Sequence, residues 1–560
     1  MTGPNDGGSS ERRQVDRRPS GDADVCIVGG GVAGGLVAQR LAARDYDVVL
    51  LEAGKRFDRE ARHRQMEDVL RPDVDGTDVW EMGGERDRYT SSGAFDYPLN
   101  RTRVKGVGGT TLHWLGITPR LHPKDFEMQS RYGLARDWPF GYETLRPYYA
   151  EAERELGVAG GTDNPFAPPR ETDYPMPAFP QSHSDSVFQA ACDSLDITTH
   201  SVPQARNSEV YDGRSQCLGY STCIPVCPSG AKYSGDVHVR KAEQAGARVI
   251  DRARVQWLAH DEAGERVTEA VYRVPGGERY RQAADQFVLA AGAVETARLL
   301  LLSRSGQYPD GLANSSGAVG RYFTDHPSIE ATGLVDEPPN PNPIRFHSSE
   351  SHQFYDHEDP VPGSLKLEFK NADPASLPDL AVRGGDSRTR DDVLDVVAGD
   401  AWGDELVEQI ESHVGGKTRF TIRATAEPLP RRDNTVSLDH DKTDDAGTPV
   451  PDVDFSFGEH SRETLAFADG VLRDIMDELG ATDVSVDSLD EARHASHHMG
   501  TTRMGEDPET SVVDARLRTH DLDNLTIASS SVFPTVGAMN PTLTIAALCL
   551  KATDHLLADL

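Results

Sequence analysis

Hydrophobic positions along the chain follow two rhythms. Near the beginning, Asp24–Val28 reads as a short buried strand, Gly29–Gly31 as a turn, Val32–Arg44 as a helix and Asp47–Glu52 as a second strand, which is a βαβ start. Gln286–Gly292 reads as another buried strand, with a helix at Val294–Leu302, and Trp138–Gly157 has a helical pattern. Between 345 and 490 the rhythm has period two, as in Leu365-Lys366-Leu367-Glu368-Phe369 and Thr418–Thr425, and an antiparallel sheet is expected there. The amphipathic helix Arg462–Leu479 interrupts it. Residues 158–181 are Pro-rich and read as a crossing or lid, the run Glu337–Pro343 reads as a linker, and the polar residues 1–21 read as a disordered tail.

A chain of 560 residues exceeds one compact core, so two or more domains are expected. No apolar run approaches the ~20 residues needed to span a bilayer. Arg12-Arg13 and Arg17-Arg18 have no apolar stretch behind them, so no secretion signal is read and a cytoplasmic location is expected, with export or membrane association through a partner subunit as the alternative. The net charge is −33, from 91 acidic and 58 basic residues. Self-repulsion of this size suits a salt-rich, screening medium, and acidic runs such as Ser437–Asp445 resemble cytoplasmic proteins of extreme halophiles. Nucleic acid is excluded as a partner on charge. Cys26 and Cys549 sit in apolar segments and read as packing residues, whereas Cys217, Cys223 and Cys227 fall within eleven residues.

Gly29-Gly30-Gly31-Val32-Ala33-Gly34 fits G-x-G-x-x-G between a strand and a helix, and Glu52 ends the next strand. Gly29, Gly31 and Gly34 let backbone approach a pyrophosphate, Val32 and Ala33 open the helix, and Glu52 is placed to accept from ribose hydroxyls. The carboxylate disfavours NADP; FAD and NAD stay open on this motif alone. Farther along, His497-His498-Met499-Gly500 and Gly537-Ala538-Met539-Asn540-Pro541-Thr542 set a histidine and an amide a few dozen residues apart. Such a pair is what hydride removal from an alcohol requires: one group takes the hydroxyl proton and the other holds the oxygen.

Further segments carry a resemblance: Leu289–Leu300, Asp137-Trp138-Pro139-Phe140, Gly320–Pro327 and Ser531-Val532-Phe533-Pro534-Thr535. With the loops above, they resemble the glucose–methanol–choline (GMC) flavoprotein oxidoreductases over nearly the whole chain from about residue 22. The resemblance implies an α/β fold with a discontinuous, Rossmann-like FAD-binding domain (22–150, 205–335 and 491–560), a connecting or lid segment (151–204) and an antiparallel-sheet substrate domain (336–490). It implies His497 as the active-site base and Asn540 as its partner, with FAD contacts also from Gly108, Gly109, Thr110, His113, Val255, Asn540, Pro541 and Thr542. His113 matches a position that in sugar-oxidising members bonds covalently to the flavin; packing beside the ring is the other reading. His498 is read as pointing away, and a zinc pair between His494 and His497 lacks a third ligand nearby in sequence.

Cys217, Cys223 and Cys227-Pro228 resemble the segment that holds a 3Fe-4S cluster in the catalytic subunit of bacterial FAD-dependent glucose and gluconate-type dehydrogenases. A disulfide with one free thiol, or a zinc site completed by His238, are the alternatives. The resemblance therefore implies an FAD-dependent dehydrogenase of a sugar, sugar acid or polyol, passing electrons through the cluster to a cytochrome or quinone, with a small helper subunit. An oxidase using dioxygen without a cluster is the rival.

Overall fold

The computed structural model describes residues 16–69, 78–337, 346–356, 362–373 and 418–560. Its core is a seven-stranded sheet in the order Arg248–Ile250, Val48–Leu51, Ala23–Val28, Arg279–Leu289, Val267–Arg273 and Arg254–His260, with Leu525–Ile527 paired to Arg279–Leu289. Ala23–Val28 pairs in parallel with Val48–Leu51 and with the second half of Arg279–Leu289. The first half of that long strand instead pairs antiparallel with Val267–Arg273. Val25, Cys26 and Ile27 have no exposed surface, because helices cover both faces of a parallel sheet and no side of the strand meets water. The helix Val32–Ala42 packs against helices Asp236–Gln244 and Thr542–Asp559, so segments far apart in sequence close one layer.

The second seven-stranded sheet is antiparallel: Thr482–Val486, Pro327–Val335, Thr418–Ala426, Leu365–Asp373, Ser349–Ser351 and His200–Ser201, with Arg493–His494 added to Pro327–Val335. Leu365, Leu367, Phe369, Phe420 and Ile422 point to one face and pack under helices His183–Ser194 and Glu459–Glu478. The polar alternates Lys366 and Glu368 are almost fully buried on the other face, so the period-two pattern was read correctly but its polar side faces protein, not solvent.

Several expected boundaries shift. Pro327–Val335, placed by sequence in the nucleotide part, is a strand of the second sheet. Within 151–204, His200–Ser201 pairs into that sheet and His183–Ser194 covers it, whereas the end of the helix Tyr142–Leu156 packs on Thr542–Asp559. Residues 16–21 of the expected tail lie against the first sheet: Arg17 meets Asp251 at 2.6 Å, and the Tyr272 hydroxyl donates to the Arg17 carbonyl at 2.7 Å. Residues 1–15 and most of the Glu337–Pro343 linker lie outside the described residues.

Candidate active site

A cavity of about 540 Å³ runs between the two sheets. Its floor is the Gly29–Ala33 turn, its flank the Thr110–Ile117 loop, and its far wall carries Glu368, Arg423, His497 and Asn540. Gly34 has no room for a side chain, since a Cβ would stand 1.9 Å from the Gly29 carbonyl oxygen. Gly109, at φ +57°, brings its loop against the turn, where a Cβ would stand 2.8 Å from Gly31 Cα. The helix that starts at Val32 has no side-chain cap at Gly31, and neither has the helix that starts at Thr542 after Pro541. Two helix ends with uncapped N–H groups therefore border the cavity, a potential suited to phosphate oxygens.

Glu52 is buried and accepts from Gly30 N and Gly54 N, each at 2.7 Å. Burial outweighs these bonds and pushes its carboxyl up to about 7. Each oxygen keeps lone pairs that ribose hydroxyls can use. Val255, Pro541, Thr542, Thr110 and His113 line the same cavity. His113 Nδ1 has no hydrogen-bond partner, and burial, helped by the Lys232 charge, holds the imidazole down at about 4. With the glycine cradle, the Glu52 acceptor and a cavity of about 540 Å³, the residues fit FAD.

His497 and Asn540 meet, with Nε2 of the histidine 3.1 Å from Asn540 Nδ2. The surrounding bonds fix the proton positions. Lys366 Nζ donates to Asn540 Oδ1 at 2.6 Å, so the amide turns its NH₂ toward His497. His326 Nε2 donates to the Gly537 carbonyl at 3.0 Å, leaving His326 Nδ1 to accept from His497 Nδ1 at 2.9 Å. His497 Nε2 then carries a lone pair and no proton. Burial, followed by the charges of His326 and Lys366, holds His497 well below its ordinary range, so the ring stays neutral and basic at that atom. Asp325 accepts from His497 N at 2.8 Å and from the Tyr97 hydroxyl, and so anchors the turn.

His498 Nε2 donates to Thr102 Oγ1 at 2.8 Å and its ring packs against Tyr97 and Phe323. His494 stands 3.8 Å from Asp325 and does not join His497; His326 is the histidine beside it. Lys366, His326 and Asp325 were not identified from sequence, although Asp325-His326 lay inside a segment that carried the resemblance.

Cys217, Cys223 and Cys227 are free thiols on one loop. Burial raises the Cys217 thiol, and the neighbouring Cys223 and Cys227 raise it further. At Cys227 burial is outweighed by the Lys232 charge and by donors from Lys232 N and Ser229, and the thiol is lowered. Lys232 Nζ donates to the carbonyls of Trp114 at 2.5 Å and Cys223 at 2.6 Å, which ties this loop to the His113 loop. Ile224 lines the cavity itself. His238, the alternative fourth ligand, is bonded to Glu155 and Tyr233 instead. Val210, Leu218, Tyr220 and Ile224 are exposed around the loop.

GMC oxidoreductase family models match residues 91–328 and 430–549, and an FAD-dependent oxidoreductase model matches residues 24–84. The chain is 34% identical to the fructose dehydrogenase large subunit of Gluconobacter japonicus, over 96% of this chain and 98% of that one. It is 30% identical to the paromamine 6'-oxidase of Streptomyces fradiae, over 96% and 92%. The structure of pyridoxine 4-oxidase from Mesorbium loti shares the fold, with a TM-score of 0.61 at 20% identity over 95% and 99% of the two chains. The chain thus belongs to the GMC oxidoreductase family and is an FAD-dependent enzyme acting on the CH–OH group of alcohol- or sugar-type donors.

Proposed function

We propose that the protein is a dehydrogenase of a sugar, sugar acid or polyol in which His497 is the base and Asn540 the orienting group. The supporting observation is the unprotonated Nε2 of His497 facing the Asn540 amide at 3.1 Å at the cavity wall. A substrate hydroxyl that displaces this direct contact donates to His497 Nε2 and accepts from Asn540 Nδ2. Lys366 holds the amide and Asp325 holds the backbone of His497, so both groups are oriented before substrate arrives. FAD would supply the hydride acceptor, held by Gly29, Gly31, Val32, Ala33, Glu52, Gly109, Thr110, Val255, Pro541 and Thr542, which line the cavity, with Gly34 and Gly108 outside its lining. His113, with its unpartnered Nδ1, is the candidate for a covalent flavin bond.

Cys217, Cys223 and Cys227 would hold a 3Fe-4S cluster, which supplies a one-electron exit. Their support is the shared loop, the lowered Cys227 thiol and the Lys232 bridge to the flavin-side loop. The exposed apolar residues around that loop suit a redox partner, a cytochrome or quinone-linked subunit, and a small helper subunit. The relative named a dehydrogenase large subunit supports a multi-subunit setting, and location would follow that partner. Among the described residues no helix is long and apolar enough to cross a membrane. The charge of −33 supports a halophilic setting. The relative named an oxidase favours the dioxygen-using alternative.

Anaerobic flavin reduction by a panel of sugars and polyols tests the reading. His497→Ala should keep FAD and slow that reduction by at least ~100-fold. Unchanged reduction would reject His497 as the base.

A further inference from the structure

We propose that His200, Glu350 and His352 form a buried site for a divalent transition-metal ion, zinc by donor type, in the second sheet. Strand register puts the three together. Glu350 pairs directly across from His200 in the antiparallel ladder. His352 follows Glu350 by two residues and so shares its face. One ligand atom of each lies within 4.8 Å of the others, and all three residues are buried.

The polar atoms at this point are unsatisfied. His200 Nε2, His352 Nε2 and both carboxylate oxygens of Glu350 have no hydrogen-bond partner. The cost of one such buried group is about 1–3 kcal/mol, more when it is charged. Three residues whose ligand atoms lack hydrogen bonds and lie within 4.8 Å of one another are better explained by a shared cation than by separate penalties. His352 Nε2 and Glu350 Oε1 stand 3.1 Å apart, close to the separation of two ligands on one tetrahedral ion with bonds of ~2.1 Å. The donor set is two imidazoles and one carboxylate, which suits zinc with a fourth position left for water or the second Glu350 oxygen.

The outer contacts agree in part and adjust in part. His200 Nδ1 donates to the Ser201 carbonyl at 3.1 Å, leaving Nε2 as a lone pair. His352 Nδ1 lies 3.2 Å from Asn164 Nδ2. With metal on Nε2, Nδ1 carries the proton, and the Asn164 amide turns over to accept it, giving up the bond its Oδ1 takes from Phe166 N. Lys366 Nζ stands 3.8 Å from Glu350 and 3.1 Å from Glu368, so two carboxylates face one ammonium. A cation at this point would share the Glu350 carboxylate with Lys366. Lys366 also holds Asn540, and the ion would thereby back the substrate-orienting amide without touching substrate.

The test is elemental analysis of the purified flavoprotein after dialysis against EDTA. One equivalent of a first-row metal per chain, beyond any iron of the cysteine loop, is expected. Glu350→Gln and His352→Gln should each lose that equivalent while keeping flavin absorbance. Wild-type protein without it, or both variants retaining it, overturns the proposal. If the variants do not fold, anomalous diffraction on either side of the metal edge in wild-type crystals decides. A peak between His200 and His352 supports the site, and its absence refutes it. Both readouts are independent of turnover.

Discussion

Lys366→Met removes the ammonium that donates to the Asn540 amide while keeping a similar stem. Lys366 donates to Asn540 Oδ1 at 2.6 Å, and Asn540 faces His497 Nε2 at 3.1 Å. Two effects follow. The lysine helps hold His497 below its ordinary value, after burial and His326. A positive charge near the ring disfavours a second one on it, so the lysine favours the neutral imidazole. The neutral imidazole is the form that takes the proton, so flavin reduction is lost as pH falls through its pKa. Removing a neighbouring positive charge raises that pKa, and the acid limb moves to higher pH. The plateau rate also falls, because a hydrogen bond to a charged group contributes about 1.5–3 kcal/mol, or about ten- to a hundredfold if fully expressed in the transition state. The assay is single-turnover anaerobic reduction of the bound flavin across the acid and neutral range, with flavin content as the check on folding. A plateau within about twofold of wild type together with an unmoved acid limb would refute the role given to Lys366.

Three other outcomes are expected. Cys223→Ser should spare flavin reduction yet abolish transfer to a cytochrome acceptor, with loss of iron; persistent cytochrome reduction would remove the cysteine loop from the electron path. Glu52 is held up at about 7 by burial, and ribose hydroxyls bind its ionised form, so FAD affinity of the apoprotein should rise as pH passes upward through 7 and release a proton; a flat profile by flavin fluorescence would contradict this. Acid-precipitated protein should stay yellow, and His113→Ala should give a colourless precipitate; a colourless wild-type precipitate would leave His113 as a packing residue.

The nucleotide turn was legible because its chemistry is local: glycines, strand, helix and Glu52 lie within one βαβ unit. His497 and Asn540 were legible through the resemblance, and the structure brings them into contact. Lys366 was hidden because an alternating strand does not announce whether its polar side meets water or another domain. Its companions Glu350 and His200 become neighbours only through the ladder between Ser349–Ser351 and His200–Ser201, a pairing that spacing along the chain does not reveal. The expected boundary after residue 335 failed for a related reason: Pro327–Val335 continues directly from the active-site segment Asp325-His326, and its partners come from farther along the chain. Arg17 docks on Asp251 within a stretch whose composition alone resembles a tail.

The pairing of Leu525–Ile527 with Arg279–Leu289, and of helix Thr542–Asp559 with helix Val32–Ala42, bears on biosynthesis. The turn Gly29–Gly34 leaves the ribosome roughly half a minute to two minutes before Asn540, at ~5–20 residues per second. Throughout that interval the growing polypeptide owns half a cradle, with one wall of the crevice still unmade. Prosthetic-group loading is therefore postponed until translation has passed this helix, and nascent chains stalled short of it should remain colourless.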